Sequence, residues 1–146
     1  MQMRTMGLWR FTPEATVRAD LILHMINSLG YPKGLLAVEK EISLLPHCKG
    51  AARGRRADLI CFAPGIHRGF SLYPLLLIEC KAVPLTEAAF RQLVGYNAAV
   101  QAPFFCLVNN SERRLFWGQG GIDSSSFLPF LPSFQELVER CHSLKI

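Results

Sequence analysis

No stretch of about 18 consecutive apolar residues occurs in this 146-residue chain, so no transmembrane helix is expected. The N-terminal MQMRTMGLWRFTPE lacks both a continuous apolar segment and a small-residue cleavage site, so it does not read as a signal peptide. The five cysteines, Cys48, Cys61, Cys80, Cys106 and Cys141, include no CxxC pair. Their odd number and scatter argue against a zinc site and against a disulfide framework, and a reducing, cytoplasmic setting is expected. His24, His47, His67 and His142 are equally dispersed and share no metal-ligand spacing. No G-x-x-x-x-G-K-[ST] is present, so the chain carries no P-loop. No recognition helix or zinc finger is evident, which leaves sequence-specific base readout unsupported. Internal repeats and low-complexity tracts are also missing.

What remains is a single ordinary domain, 1–146, half of it hydrophobic and able to bury a sizeable core. The formal charge of +5 permits a polyanionic partner without requiring one. The excess is uneven. Lys49, Arg53, Arg55 and Arg56 crowd into CKGAARGRR with no acid among them.

Local signals set the order of elements. Thr12 and Pro13 open a first helix with Glu14 in its first turn, and Val17, Leu21, Met25 and Leu29 recur at i, i+4 until Gly30 and Tyr31-Pro32 stop it. Strands are expected over Leu35–Leu44, Ala57–Ala63 and Tyr73–Ala82. Thr86 caps a second helix reaching Val100. Further strands follow over Pro103–Asn109 and Arg113–Trp117. Ser133 and Glu136 form a capping box for a last helix, about 133–144. The order α-β-β-β-α-β-β-α predicts an α/β fold, a mixed sheet with helices on its faces.

The stretch LLLIECKA (75–82) ends a buried-looking strand in two opposite charges. With a strand period of two, Leu75, Leu77, Glu79 and Lys81 share one face, as do Asp58, Ile60 and Phe62. If these strands are neighbours, Asp58 stands beside Glu79. One arrangement is purely structural: Glu79 pairs with Lys81, and Asp58 caps the basic loop. The other is a hard-metal site. Asp58, Glu79 and the backbone carbonyl of Cys80 offer oxygens suited to Mg²⁺. The ion would polarise a phosphodiester and help ionise a water. Lys81 would orient that water and offset charge on the phosphate. Gln92 and Tyr96, in RQLVGYN, share a helix face at i, i+4, either as a working pair or as a solvated glutamine beside a half-buried tyrosine.

Asp58 followed by Glu79-Cys80-Lys81 resembles the PD-(D/E)XK nuclease superfamily, with Ala57 where the proline of that name would stand. The Gln92-x-x-x-Tyr96 pair on the next helix resembles its RecB-type branch. TPEATVR, LGYP, VEKEI, RRADLICF, LLLIECKA and QLVGYNAAVQAPFFCLVNN together resemble the N-terminal endonuclease domain of type I restriction enzyme R subunits and its small stand-alone relatives, over about residues 12–118. The resemblance implies a restriction-endonuclease-like three-layer αβα sandwich and Mg²⁺-dependent cleavage of DNA, with Mn²⁺ as a substitute. Asp58, Glu79 and Lys81 would carry the catalysis, and Gln92 and Tyr96 would support the site or the DNA near it. It also implies a further acidic metal ligand ahead of Asp58, for which Glu39 is the first choice and Glu41 the reserve. Any motor or specificity function would come from separate subunits, and a homodimer, as in small junction resolvases, is the other arrangement considered. Lys49, Arg53, Arg55 and Arg56 would meet DNA phosphates, unless they form a merely solvated loop. A non-catalytic nucleic-acid-binding or assembly module that keeps the fold is the competing function.

Overall fold

The structure, a computed structural model, describes residues 12–48, 50, 52–118 and 122–144. Within the described residues, three α-helices and five strands follow in the expected order: α1 (Pro13–Ser28), β1 (Leu36–Glu41), β2 (Arg56–Pro64), β3 (Leu72–Cys80), α2 (Glu87–Val100), β4 (Phe104–Val108), β5 (Arg113–Trp117) and α3 (Phe134–Leu144). The strands form one mixed sheet in chain order, β1-β2-β3-β4-β5. The β3–β4 pair, joined through α2, is parallel, and the other neighbours are antiparallel.

The caps act where the residue types demand them. The Thr12 hydroxyl accepts from the Ala15 amide at 3.1 Å and the Thr86 hydroxyl from the Ala89 amide at 3.1 Å. Ser133 and Glu136 close the reciprocal box, with bonds of 3.1 and 2.9 Å.

Strand alternation divides the core in two and makes the fold a three-layer sandwich. On one face Leu59, Cys61, Ile78, Cys106 and Val108 pack under α1 (Val17, Leu21, Met25) and α3 (Leu137). On the other face Ile60, Leu77, Phe105 and Leu107 pack under α2 (Phe90, Leu93, Val100). Leu76, Leu77 and Ile78 have no solvent exposure, and burying each contributes roughly 1.5–3 kcal/mol. Among the described helices, only α2 covers the second face. Ile42, Leu45 and Cys48, from the connection after β1, complete that layer.

Two local expectations are corrected. Leu75 does not share a face with Leu77, because it packs in the α1/α3 core. The register slips from Cys61↔Leu76 to Phe62↔Pro74, so Leu75 is an extra, bulged residue. Pro74 has no amide to donate, and a bulge is where a strand accommodates that. β1 also ends at Glu41, short of the expected Leu44, and Ile42–Leu44 form a single 3-10 turn. That turn sends Ile42 into the core and carries the chain over the α2 face.

Candidate functional site

β2 and β3 are paired as far as Leu59↔Ile78. The next positions in that register are Asp58 and Glu79, and there the ladder gives way to side chains. Asp58 Oδ2 accepts from the Cys80 amide at 2.8 Å, and Glu79 Oε2 accepts from the Asp58 amide at 3.1 Å. Each carboxylate thus takes the place of a carbonyl of its own strand, accepting from an amide of the opposing one. Each keeps its second oxygen, Asp58 Oδ1 and Glu79 Oε1, without a hydrogen bond among the described residues. β3 meanwhile stays with β4 through Cys80↔Val108, and the Lys81 amide donates to Val108 O at 2.8 Å. The pair therefore lies at the carboxyl ends of the parallel strands, where open α/β sheets bind ligands.

Glu79 is the buried charged residue of the described chain, 5 % exposed, and Asp58 is half-buried. Burial pushes the Glu79 carboxyl up to about 8, and the like charge of Asp58 adds to the rise. Burial likewise raises Asp58. The Cys80 amide, Arg18 and Lys81 pull it down, and Glu14 pushes with the burial. At neutral pH the two carboxyls therefore resist simultaneous ionisation unless a cation joins them.

Lys81 does not form the structural pair with Glu79. Its Nζ donates to Gln92 Oε1 at 3.0 Å, and no ion pair among the described residues ties it to Glu79 or Asp58. Gln92 Nε2 donates in turn to Tyr96 OH at 3.3 Å. Gln92 is exposed and Tyr96 half-buried, so the i, i+4 pair of α2 forms a polar rail that ends on the lysine. Asp58 does not cap the basic loop either, since its bonded oxygen is held by β3.

The basic loop reaches the same end of the sheet. The Arg55 guanidinium lies 5.9 Å from the centre of the Tyr96 ring, within cation–π range. Arg56 Nη1 donates to Glu39 O at 3.2 Å. Arg53 is exposed, and its charge acts on Glu41. Lys49 lies outside the described residues.

Neither Glu39 nor Glu41 bonds to the carboxylate pair. Glu39 Oε2 is 3.3 Å from Arg18 Nη2. Glu41 accepts from the Ser43 hydroxyl, which is the main reason its carboxyl sits below the usual range. The Cys80 thiol faces the α1/α3 core and is pushed up to about 12 by burial. Its backbone oxygen is the atom of interest.

Sequence reading missed Arg18 and Glu14. Both sit on α1 four residues apart, and both charges bear on Asp58. Glu14 acts on Glu79 as well. Their i, i+4 spacing was the available signal, but nothing local says which way a polar helix face looks.

Among the described residues no group of three or more His, Cys, Asp or Glu side chains converges on one point. An ion here would hold to two carboxylates, main-chain oxygen and water. That is the habit of Mg²⁺, which keeps several waters and takes one or two carboxylates. A groove of about 700 Å³, lined by Phe104, Trp117, Phe130 and Leu137 among others, lies at the other end of β4 and has no part in this constellation. No helix of the described residues is long and apolar enough to cross a membrane.

Compared with known proteins, residues 13–132 match the family model described as type I restriction enzyme R protein N terminus (HSDR_N). Searches of the curated proteins and of the solved structures gave no match.

Proposed function

The chain belongs to the type I restriction enzyme R protein N-terminal family, and from that premise we propose that it is a Mg²⁺-dependent endonuclease hydrolysing DNA phosphodiester bonds, with a site of PD-(D/E)XK type. The observation that carries this reading is the reciprocal Asp58–Glu79 arrangement. Two carboxyl groups are held side by side at the end of a buried strand, each with an oxygen to offer. Such a pair costs stability on its own, and a divalent cation relieves it. Asp58 and Glu79 would hold the ion, with the Cys80 carbonyl as a further protein oxygen, and Mn²⁺ would substitute for Mg²⁺. Bound there, the ion would polarise the phosphodiester and lower the pKa of a water.

The chain's own groups do the rest. Lys81, steered by Gln92, orients the attacking water and offsets charge gathering on the phosphate. Gln92 is itself fixed through Tyr96. Arg53, Arg55 and Arg56, with Lys49, neutralise flanking phosphates and make binding salt-sensitive. Any motor or specificity function is supplied by separate subunits, or the protein acts as a homodimer.

The test is nicking of supercoiled DNA by purified protein with Mg²⁺ or Mn²⁺, and its arrest by chelator. Lys81→Ala is expected to lower the rate by about a hundredfold or more while the melting temperature stays within a few degrees. Cleavage that survives this change, or proceeds in chelator, would sink the reading.

A further inference from the structure

Glu39 of β1 stands opposite Asp58 of β2, since the register runs Val38↔Leu59 and Lys40↔Ala57. Among the described strand residues it alone has a left-handed backbone, φ +51°, a conformation that a non-glycine residue adopts at a cost and that often accompanies a site. Two arginines from different elements converge on it. Arg18 of α1 reaches its carboxylate at 3.3 Å, and Arg56, the first residue of β2, reaches its carbonyl at 3.2 Å.

The Arg18 side chain is only 18 % exposed, whereas the Glu39 side chain is 59 % exposed. The contact is single, long and open to water, which makes a weak ion pair. It uses one donor of a guanidinium whose planar fork fits phosphate with two. The charge of Arg18, carried on α1, also acts on Asp58, and that of Lys81 acts on both carboxylates.

Resting on the nuclease reading, we propose that Arg18 is a substrate-binding residue that exchanges Glu39 for a phosphate of the nucleic-acid strand lying against Asp58. Glu39 holds Arg18 in place while the site is empty and is not itself a metal ligand. The exchange needs no movement of the sheet, because Glu39 lies on an edge strand and its carboxylate is already solvated.

The experiment measures binding of a fluorescein-labelled duplex in Ca²⁺, which supports binding without cleavage, over a range of salt, together with Ca²⁺ affinity in the absence of DNA. Arg18→Ala is expected to weaken duplex binding about tenfold and to reduce the salt slope by about 1. Arg18→Lys should restore the salt slope and only part of the affinity, because it returns the charge without the two-donor fork, and it separates loss of charge from loss of fold. Glu39→Gln should tighten duplex binding about threefold and keep the wild-type Ca²⁺ affinity. Duplex binding that Arg18→Ala leaves untouched would overturn the proposal and spare the nuclease reading. So would Glu39→Gln weakening Ca²⁺ binding as much as Asp58→Asn does. Wild-type protein that binds no duplex in Ca²⁺ would overturn both.

Discussion

The two ends of the sheet treat polar groups in opposite ways. At the hairpin end, neutral side chains supply donors to backbone carbonyls at the end of α2. The last carbonyls of a helix are left over by the helix itself, and here those of Ala99, Val100 and the cap residue Gln101 find side chains from elsewhere. Cys48 Sγ donates to Ala99 O at 3.1 Å, His47 Nε2 to Val100 O at 2.7 Å and Tyr73 OH to Gln101 O at 3.2 Å. The rings that carry these donors pack together, with His67 stacked on Tyr73 at 4.4 Å and His47 tilted against it at 4.8 Å. At the opposite end, roughly 20 Å along β3, two acids are set side by side and partly buried. One end closes a helix, and the other leaves charge unbalanced. Proteins tolerate such local conflict where a site needs it and compensate elsewhere.

The comparison breaks most sharply at Glu79. Glu79→Gln is expected to lower cleavage by about a hundredfold or more, and in metal-free protein at pH 8.5 to raise stability by on the order of 1–3 kcal/mol. A denaturant titration beside the nicking assay measures both, and a variant that lost both together would show the pair to be structural.

The same conflict has a pH signature. The folded Glu79 carboxyl is raised above its ordinary value to about 8. Its contribution therefore favours the folded state at low pH, and that contribution is lost as pH rises through about 8. Melting temperature without metal should fall between pH 5 and pH 8.5 by several degrees. Saturating Ca²⁺ should remove most of that fall, and Glu79→Gln should flatten the curve without it.

The hairpin end should respond in the reverse sense. His47→Ala removes a ring from the cluster and leaves Val100 O without its donor, which costs about 1–3 kcal/mol. Per folded molecule, cleavage should be unchanged. Smallest of all, Tyr73→Phe keeps the stack and removes one hydrogen bond, for about 0.5–1.5 kcal/mol. A large cleavage defect in either variant would mean that the two ends are coupled through α2.

Much of this was legible before any coordinates. Thr12, Thr86 and the Ser133–Glu136 box fixed helix starts to the residue. The run of apolar residues in β3 announced a strand buried on both faces, and a period of two placed Glu79 and Lys81 on one side of it. Gln92 and Tyr96 meet as their i, i+4 spacing required. The hidden parts are those that depend on a distant neighbour. The bulge at Leu75 follows from how Pro74 faces Phe62. The left-handed turn at Glu39 accompanies arginines from two other elements.

By itself, the sequence determined which elements form, in what order, and which charged residues end a buried strand, because caps and periodicities are interactions among residues a few positions apart. Only the tertiary structure decided that Asp58 and Glu79 bind each other's strands, that Lys81 hydrogen-bonds to Gln92 while its charge acts on both acids, and that Arg18 bears on Asp58 from α1. Those outcomes join residues such as 58 and 79, 21 positions apart. They depend on where β2 leaves β3 and on which way a helix face is turned when the core closes, and no local pattern encodes either.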